Sequence, residues 1–190
     1  PKFVCDGSTL SFADSKVEHM SAFAIPSLPK SAAQSAVGLA VTRSGAQSGS
    51  MPYTFVGVGD ARNIPPKMFS DYAPFLKESK RHLYVVPSRP EDIRMIASIN
   101  GEELKRNRDN WFANNAVFGG GDTVTATVNW TKRTISFTRN GKGLGTLFSN
   151  VPTDVELNPF AAVFKSDTTV SLASVATAAM PPPRTIFSLA

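Results

Sequence analysis

Residues 119–147 read GGGDTVTATVNWTKRTISFTRNGKGLGTL and carry the clearest pattern in the chain. After Asp122, apolar side chains alternate with threonine and asparagine, and an alternation of period two is typical of a β-strand with one buried face. The alternating apolar residues are Val124, Ala126, Val128 and Trp130, followed by Ile135 and Phe137. Polar residues 131–133 separate the two runs, and Asn140-Gly141 tolerates the positive φ of a tight hairpin turn. The pattern predicts a three-strand antiparallel meander.

The same region carries six pieces whose order and spacing match a known family. They are Gly121-Asp122, the apolar strand after it, TISF at residues 134–137, Asn140-Gly141, Leu144-Gly145 with Phe148, and Val151-Pro152 followed by LNPF at residues 157–160. Upstream, YTFVGVG at residues 53–59 looks like the central apolar strand of that family. Over residues 44–175, the chain resembles a SPRY domain.

The chain departs from the family pattern at three places. Asn129-Trp130 stands where the family usually has a second acidic residue in the strand, and Asn158 stands where it has an aromatic before the late proline. The tryptophan-rich middle segment of the family is here LYVV, residues 83–86. These differences leave the implied fold intact and place the chain in a divergent branch. The partners of better-known members therefore do not carry over.

The resemblance implies an all-β fold with little helix. The expected architecture is an antiparallel β-sandwich of two facing sheets, of the concanavalin-like jelly-roll type, with long end loops. A sandwich holds the loops at one end rigid, and loops on a rigid scaffold commonly carry function. The resemblance thus implies a non-catalytic protein–protein interaction module that binds a peptide or protein partner through these loops. It would act either as a recognition domain or as a subunit of a larger assembly.

The rest of the chain is consistent with short strands separated by turns. Residues 36–42 and 53–58 are predicted strands, and the second is apolar on both faces, which predicts a central place in its sheet. Further strands are predicted at 82–86, 94–99, 158–164 and 168–175, with shorter strands that cover an edge within residues 1–30. We expect one domain over residues 1–175, in which residues 1–43 carry the weakest pattern. A Pro-rich tail follows over residues 176–190.

Composition excludes several classes of protein. A chain of 190 residues that is 42% hydrophobic and 18% charged suits one soluble domain with a sizeable core. Cys5 is the only cysteine, which excludes an internal disulfide and a cysteine-based metal site. A reducing intracellular compartment, the cytoplasm or an organelle if a targeting segment was removed, is the simplest expectation. No apolar run approaches the ~20 residues of a membrane span, and the N-terminus lacks the pattern of a secretory signal.

The sequence offers few groups for catalysis. His19 and His82 are far apart in the chain, and neither has a nearby His or Cys with which to share a metal. Gly57-Val58-Gly59 lacks the further residues of a phosphate-binding loop, and no Gly-x-Ser-x-Gly elbow is present. Asn129-Trp130-Thr131 matches the glycosylation triplet, but a strand of an intracellular protein is not the usual setting for that modification. We therefore expect no enzyme activity, no cofactor and no bound metal.

The resemblance implies five candidate partner-binding residues. They are Arg62 after the Gly-Val-Gly strand, Tyr72 in the long loop that follows, and Phe164, Lys165 and Ser166 at the last turn. Arg62 would donate charge-assisted hydrogen bonds to a peptide carboxylate or carbonyl. Phe164 and Tyr72 would supply apolar contact. A purely structural role stays open for all five residues.

The net charge of +5 and the pI of about 9.5 allow a second function. Basic residues cluster where loops are predicted, and the candidate basic surface comprises Lys105, Arg106, Arg108, Lys132 and Arg133. The simpler interpretation is solvated loop charge. The alternative is a basic subunit of a ribonucleoprotein complex that contacts RNA phosphates. RNA affinity that falls steeply with salt would favour this alternative, because each phosphate contact releases counterions.

Overall fold

The computed structural model describes residues 3–5, 9–12, 20–23, 27–43, 53–63, 83–88, 118–164 and 168–178. In chain order the strands in these ranges are β1 (Phe3–Cys5), β2 (Thr9–Phe12), β3 (Met20–Phe23), β4 (Gln34–Arg43), β5 (Tyr53–Asp60), β6 (Leu83–Pro87), β7 (Thr123–Asn129), β8 (Thr134–Arg139), β9 (Lys142–Phe148), β10 (Leu157–Phe164) and β11 (Thr168–Ala178). A short 3₁₀ helix, Ala61–Asn63, follows β5 directly.

These strands form two antiparallel sheets. One sheet has the order β1-β2-β11-β4-β7-β8-β9, and the other has the order β3-β10-β5-β6. The predicted meander is confirmed, because β7 pairs with β8 and β8 pairs with β9 in the larger sheet. The predicted all-β sandwich with little helix is confirmed as well.

The two sheets face each other across a core of aliphatic and aromatic side chains. Along β7 and β8 the buried residues alternate with half-buried ones, and the buried ones include Val128, Ile135 and Phe137. The Phe148 ring lies edge-on to Phe137 in its own sheet and to Tyr84 in the facing sheet, with ring centroids 6.1 Å and 5.2 Å apart. Edge-on contact is a favoured geometry for aromatic pairs. The apolar face of the meander is therefore the inner face of the sandwich.

Strand β5 holds the middle of the smaller sheet. It lies between β10 and β6, and its residues 54–60 are all buried, which confirms the prediction of a central strand. Gly57 pairs with Val85 of β6, and a Cβ added at Gly57 would lie 2.1 Å from the carbonyl oxygen of Tyr84. The approach of these two backbones therefore requires glycine at this position.

Several boundaries differ from the sequence-based prediction. Trp130 was expected on the inner face of a strand. The strand β7 ends at Asn129, and Trp130 is the half-buried first residue of the turn at 130–133, where it still packs against the core. The short strands predicted within residues 1–30 are β1, β2 and β3, and β11 continues beyond the predicted end at Val175 to Ala178. The strand predicted at 94–99 lies outside the described residues.

The strand register separates two groups of loops at opposite ends of the sandwich. Asp60 at the end of β5 pairs with Leu157 at the start of β10, whereas Tyr53 pairs with Phe164 at the other end of the same two strands. The first group, called the Arg62 end, comprises the 3₁₀ helix, residues 27–33, the turn 130–133 and the loop 149–156. The second, called the Phe164 end, comprises residues 118–122, the turn 140–141 and the end of β10.

Within the described ranges, no helix is long and apolar enough to cross a membrane. The same part of the chain contains no group of three or more His, Cys, Asp or Glu side chains arranged to hold a metal ion.

Candidate partner-binding surface

A buried carboxylate lies at the centre of the Arg62 end. The Asp60 side chain is 0% exposed, and its two oxygens accept hydrogen bonds from the Arg62 backbone N–H (3.1 Å), from Arg62 Nε (3.0 Å) and Nη2 (2.7 Å), and from the Glu156 backbone N–H (3.2 Å). The hydrogen bonds from the Arg62 side chain lower the pKa of Asp60 from 3.8 to about 2, although burial acts in the opposite direction. Asp60 is therefore ionised at neutral pH, and its charge is matched by a cation.

The Arg62 guanidinium connects this carboxylate to the loop 149–156. Its Nη2 also donates to the carbonyl of Asp154 (2.9 Å), and its Nη1 lies 3.7 Å from Oε2 of Glu156. The 3₁₀ helix makes this possible, because it turns the chain back after β5 and brings Arg62 next to Asp60, two positions earlier. The Arg62 side chain stays 55% exposed. It is thus held in one orientation while part of its surface faces solvent.

Residues 27–33 cross this end from the smaller sheet to the larger one. Leu28 is buried, and its N–H donates to the carbonyl of Leu157 (2.7 Å). The hydroxyl of Ser27 donates to Oε1 of Glu156 (2.9 Å), and Nζ of Lys30 donates to the carbonyl of Thr153 (2.8 Å). This segment is therefore tied to the same loop that Arg62 holds.

Trp130 packs against that crossing segment. Its Nε1 donates to the hydroxyl of buried Ser35 (3.2 Å), and this hydroxyl donates to the carbonyl of Pro29 (2.6 Å). The ammonium of Lys30 lies over the Trp130 ring, 5.8 Å from its centroid, within the range of a cation–π contact. Trp130 and Lys30 therefore fix each other at the edge of the surface.

Arg133 ties the turn 130–133 to the loop 149–156. Its Nε donates to the carbonyl of Val151 (2.8 Å) and its Nη2 to the carbonyl of Asn150 (3.4 Å), while the Val151 N–H donates to the carbonyl of Arg133 (3.0 Å). Arg133 and Asn150 adopt positive φ angles of 57° and 54°. Such angles are uncommon for residues other than glycine, so the hydrogen bonds stabilise a corner whose backbone is strained.

Charge is distributed unevenly over the Arg62 end. Lys30, Lys132 and Arg133 are exposed on the side of the turn 130–133. Exposed Asp154 and Glu156 lie on the side of Arg62. The surface therefore has a basic side and a side on which acidic groups accompany the arginine.

A second Asp–Arg pair stabilises the Phe164 end. Asp122 accepts hydrogen bonds from the Gly119 N–H (2.8 Å) and from Nδ2 of Asn140 (2.7 Å), and Nε of Arg139 lies 3.0 Å from its Oδ2. Burial raises the pKa of Asp122, but these three partners together outweigh it and keep the pKa below its ordinary value. The Asn140 side chain also accepts from the Thr123 N–H (2.8 Å). These bonds close the hairpin of β8 and β9 onto the start of β7.

The predicted site residues do not all lie together. Arg62 lies at one end of the β5–β10 pair and Phe164 at the other, seven residue steps along β10 from Leu157, which is roughly 23 Å at ~3.3 Å per residue. Lys132 and Arg133 lie at the Arg62 end. The remaining predicted site residues, Tyr72, Lys165, Ser166, Lys105, Arg106 and Arg108, lie outside the described residues. Their roles stay predictions.

Sequence reasoning missed several residues of this surface. Asp60 precedes Arg62 by two positions at the end of a strand, and that spacing was a usable signal for a local ion pair. Lys30, Ser35 and Trp130 gave no such signal, because Trp130 and Ser35 are 95 positions apart and Lys30 and Thr153 are 123 apart. Only the tertiary fold brings them together.

Comparison with known proteins identifies the family. The model of the SPRY domain matches residues 80–174, which is half of the chain. The chain belongs to the SPRY family. SPRY domains are protein-interaction modules in general, and they are typically non-catalytic. A search of curated proteins finds no match.

Solved structures agree with the SPRY fold at low sequence identity. The chain is similar to the SPRY domain of human HERC1, with 16% identity and a TM-score of 0.56, over 94% of this chain and 93% of that one. It is also similar to the NEUZ (NHR) domain in Neuralized from Drosophila melanogaster, with 10% identity and a TM-score of 0.51, over 93% of this chain and 84% of that one. At these identities the likeness concerns the fold alone.

Proposed function

We propose that this SPRY domain binds a peptide or protein partner at the Arg62 end, either as a recognition domain or as a subunit of a larger assembly. One observation carries the proposal: the Arg62 guanidinium is held on Asp60 and the loop 149–156 while 55% of its side chain is exposed. An arginine that is already oriented loses little conformational freedom on binding. Arginine is also among the residues that most often dominate the energy of protein interfaces.

The surroundings of Arg62 support the same proposal. Four separate segments meet at this end, and hydrogen bonds between them involve Arg62, Arg133, Lys30 and Leu28. A surface braced in this way changes little on binding, so its contacts are not offset by the ordering of loops. The exposed guanidinium face would meet a carbonyl of the partner, because the exposed carboxylates of Asp154 and Glu156 beside it disfavour a further anion.

Selection of short random peptides displayed on phage, with the folded chain as bait, tests this proposal. Arg62→Lys keeps the charge but loses the planar fork that Asp60 holds, so affinity for a selected peptide should fall by ~10-fold or more. Arg139→Lys is the matched control, because Arg139 also bonds a carboxylate but lies at the opposite end. Equal loss of affinity in both variants, or peptides that bind Arg62→Lys as tightly as the original chain, would refute the Arg62 end as the binding surface.

The ribonucleoprotein alternative stays a prediction. Lys132 and Arg133 of the candidate basic surface are exposed at the Arg62 end. Titration of single-stranded RNA at two salt concentrations separates this function from peptide binding, because affinity for RNA should fall by a factor of ~10 or more as salt rises.

A further inference from the structure

We propose that the partner presents an acidic segment to one corner of this surface, formed by Lys30, Trp130, Lys132 and Arg133 and called the basic corner. This inference rests on the proposed function and adds the chemistry of the partner. The corner is compact: Lys30 bonds the carbonyl of Thr153 and Arg133 bonds the carbonyl of Val151, two residues earlier in the same loop. Two residues span at most ~7 Å of chain.

The cations of the basic corner lack carboxylate partners. In the part of the chain that the structure describes, Arg62 pairs with Asp60 and Arg139 pairs with Asp122, but Lys30, Lys132 and Arg133 form no salt bridge. Lys30 and Arg133 instead donate to backbone carbonyls, which orient a cation without cancelling its charge. Among the described residues, these three positive charges therefore have no carboxylate partner. A ligand with carboxylates would neutralise them.

Much of the basic corner is also held in place before a ligand binds. An ammonium has three N–H donors, and Lys30 directs one of them to Thr153 while the Trp130 ring supports the ammonium from one side. The backbone N–H of Lys132 donates to Oδ1 of Asn129 (2.7 Å), and this hydrogen bond closes the turn that carries Lys132. Arg133 keeps a strained positive φ within the same turn. The fold therefore already orders the Lys30 ammonium, the Arg133 guanidinium and the backbone that carries Lys132, so their ordering takes little free energy from binding.

An acidic peptide suits the corner better than RNA does. A protein that holds single-stranded RNA commonly stacks bases on exposed aromatic rings. Trp130 is half-buried, the Lys30 ammonium lies over its ring, and its Nε1 is bonded to Ser35. A phosphate backbone that continued past the corner would also meet the exposed carboxylates of Asp154 and Glu156. A short segment with one or two carboxylates can neutralise these cations without extending along the surface as a phosphate backbone does.

The test compares random peptides selected on the original chain with peptides selected on Lys132→Glu. We expect Asp and Glu to be enriched only in the first set, and we expect a peptide from that set to bind Lys132→Glu at least ~10-fold more weakly, because attraction at an exposed site turns into repulsion. Lys142→Glu is the matched control, since Lys142 is exposed next to a hairpin turn at the opposite end, and it should bind as the original chain does. Replacing the acidic residues of the peptide by Asn and Gln should cause a similar loss.

The other outcomes distinguish this inference from the proposed function. Peptides that depend on Arg62 but show no acidic enrichment and bind Lys132→Glu normally would overturn the acidic partner and leave the Arg62 end as the binding surface. Failure to select any peptide would overturn both. Random-sequence single-stranded RNA that binds more tightly than the selected peptides, and loses affinity in Lys132→Glu, would assign the basic corner to nucleic acid instead.

Discussion

The two ends of the sandwich use the same pair of residue types to different effect. At the Arg62 end, a carboxylate that is 0% exposed pairs with a guanidinium that is 55% exposed, and the pair reaches across the chain to a loop 92 positions away. At the Phe164 end, the Asp122 side chain is 13% exposed, Arg139 is 35% exposed, and their bonds connect strands that are neighbours in one sheet. The first pair therefore ties the end of β5 to the loop that connects the two sheets, whereas the second secures a hairpin within one sheet.

This difference distinguishes Arg62 from Arg139 within the described ranges. Asp122 shares its oxygens with Gly119, Asn140 and Arg139, so the arginine is one of several contributors to a local turn. Asp60 receives three of its hydrogen bonds from Arg62 alone, two of them in a bidentate pair. The bidentate geometry fixes the plane of the guanidinium as well as its position.

The largest effect is expected from a substitution within β5, between the two ends of the sandwich. Gly57→Ala adds a Cβ that would lie 2.1 Å from the Tyr84 carbonyl oxygen, so β5 and β6 must separate. Because backbone atoms cannot yield as a flexible side chain does, we expect a loss of at least ~3 kcal/mol in the free energy of unfolding. Urea unfolding monitored by tryptophan fluorescence measures this loss. A change below ~1 kcal/mol would show that β6 approaches β5 less closely than described.

The next effect compares the two aspartates directly. Asp60→Ala removes the carboxylate that both the Arg62 side chain and the Glu156 N–H use, and we expect it to destabilise the fold by ~3 kcal/mol. Asp122→Ala removes a more exposed carboxylate with local partners, and we expect it to destabilise the fold by ~1 kcal/mol. Urea unfolding of both variants decides the comparison. Equal losses would mean that the two pairs play equivalent structural roles.

The pH dependence of stability sharpens the same comparison. The fold lowers the pKa of Asp60 from 3.8 to about 2. The ionised carboxylate therefore adds to the free energy of unfolding above the unfolded pKa, and this contribution is lost as pH falls from about 4 to about 2. A shift of this size corresponds to about 2 kcal/mol. Asp60→Asn should therefore flatten the curve of unfolding free energy against pH in this window. An unchanged curve in Asp60→Asn would contradict the low pKa.

Local sequence patterns were sufficient to predict strands and turns, whereas the contacts of the candidate site are visible only in the tertiary structure. Alternation in residues 123–137, the Asn140-Gly141 turn and the apolar run before Asp60 each depend on neighbours in sequence, and all three predictions are confirmed. The ties of Lys30 to Thr153 and of Trp130 to Ser35 depend on distant residues, so no local pattern reveals them. Trp130 shows the limit most clearly. Its alternation suggested a fully buried core residue, whereas it packs half-buried against the core at the first position of the turn.

The smallest effect is expected at the turn 130–133 in the basic corner, where Arg133 has a positive φ. Asn140 has a similar φ of 50° in the turn at the other end. Arg133→Ala removes the side-chain hydrogen bonds to the carbonyls of Val151 and Asn150 but keeps a Cβ at a φ of 57°. Arg133→Gly removes the same side-chain hydrogen bonds and also relieves the backbone strain. Glycine should therefore be more stable than alanine at this position by ~1 kcal/mol, because a left-handed conformation costs an L-residue about that much. Thermal unfolding of the two variants side by side gives the difference. If alanine proved as stable as glycine, the turn would have relaxed to a negative φ, and the Arg133 hydrogen bonds would be what holds the corner in its strained form.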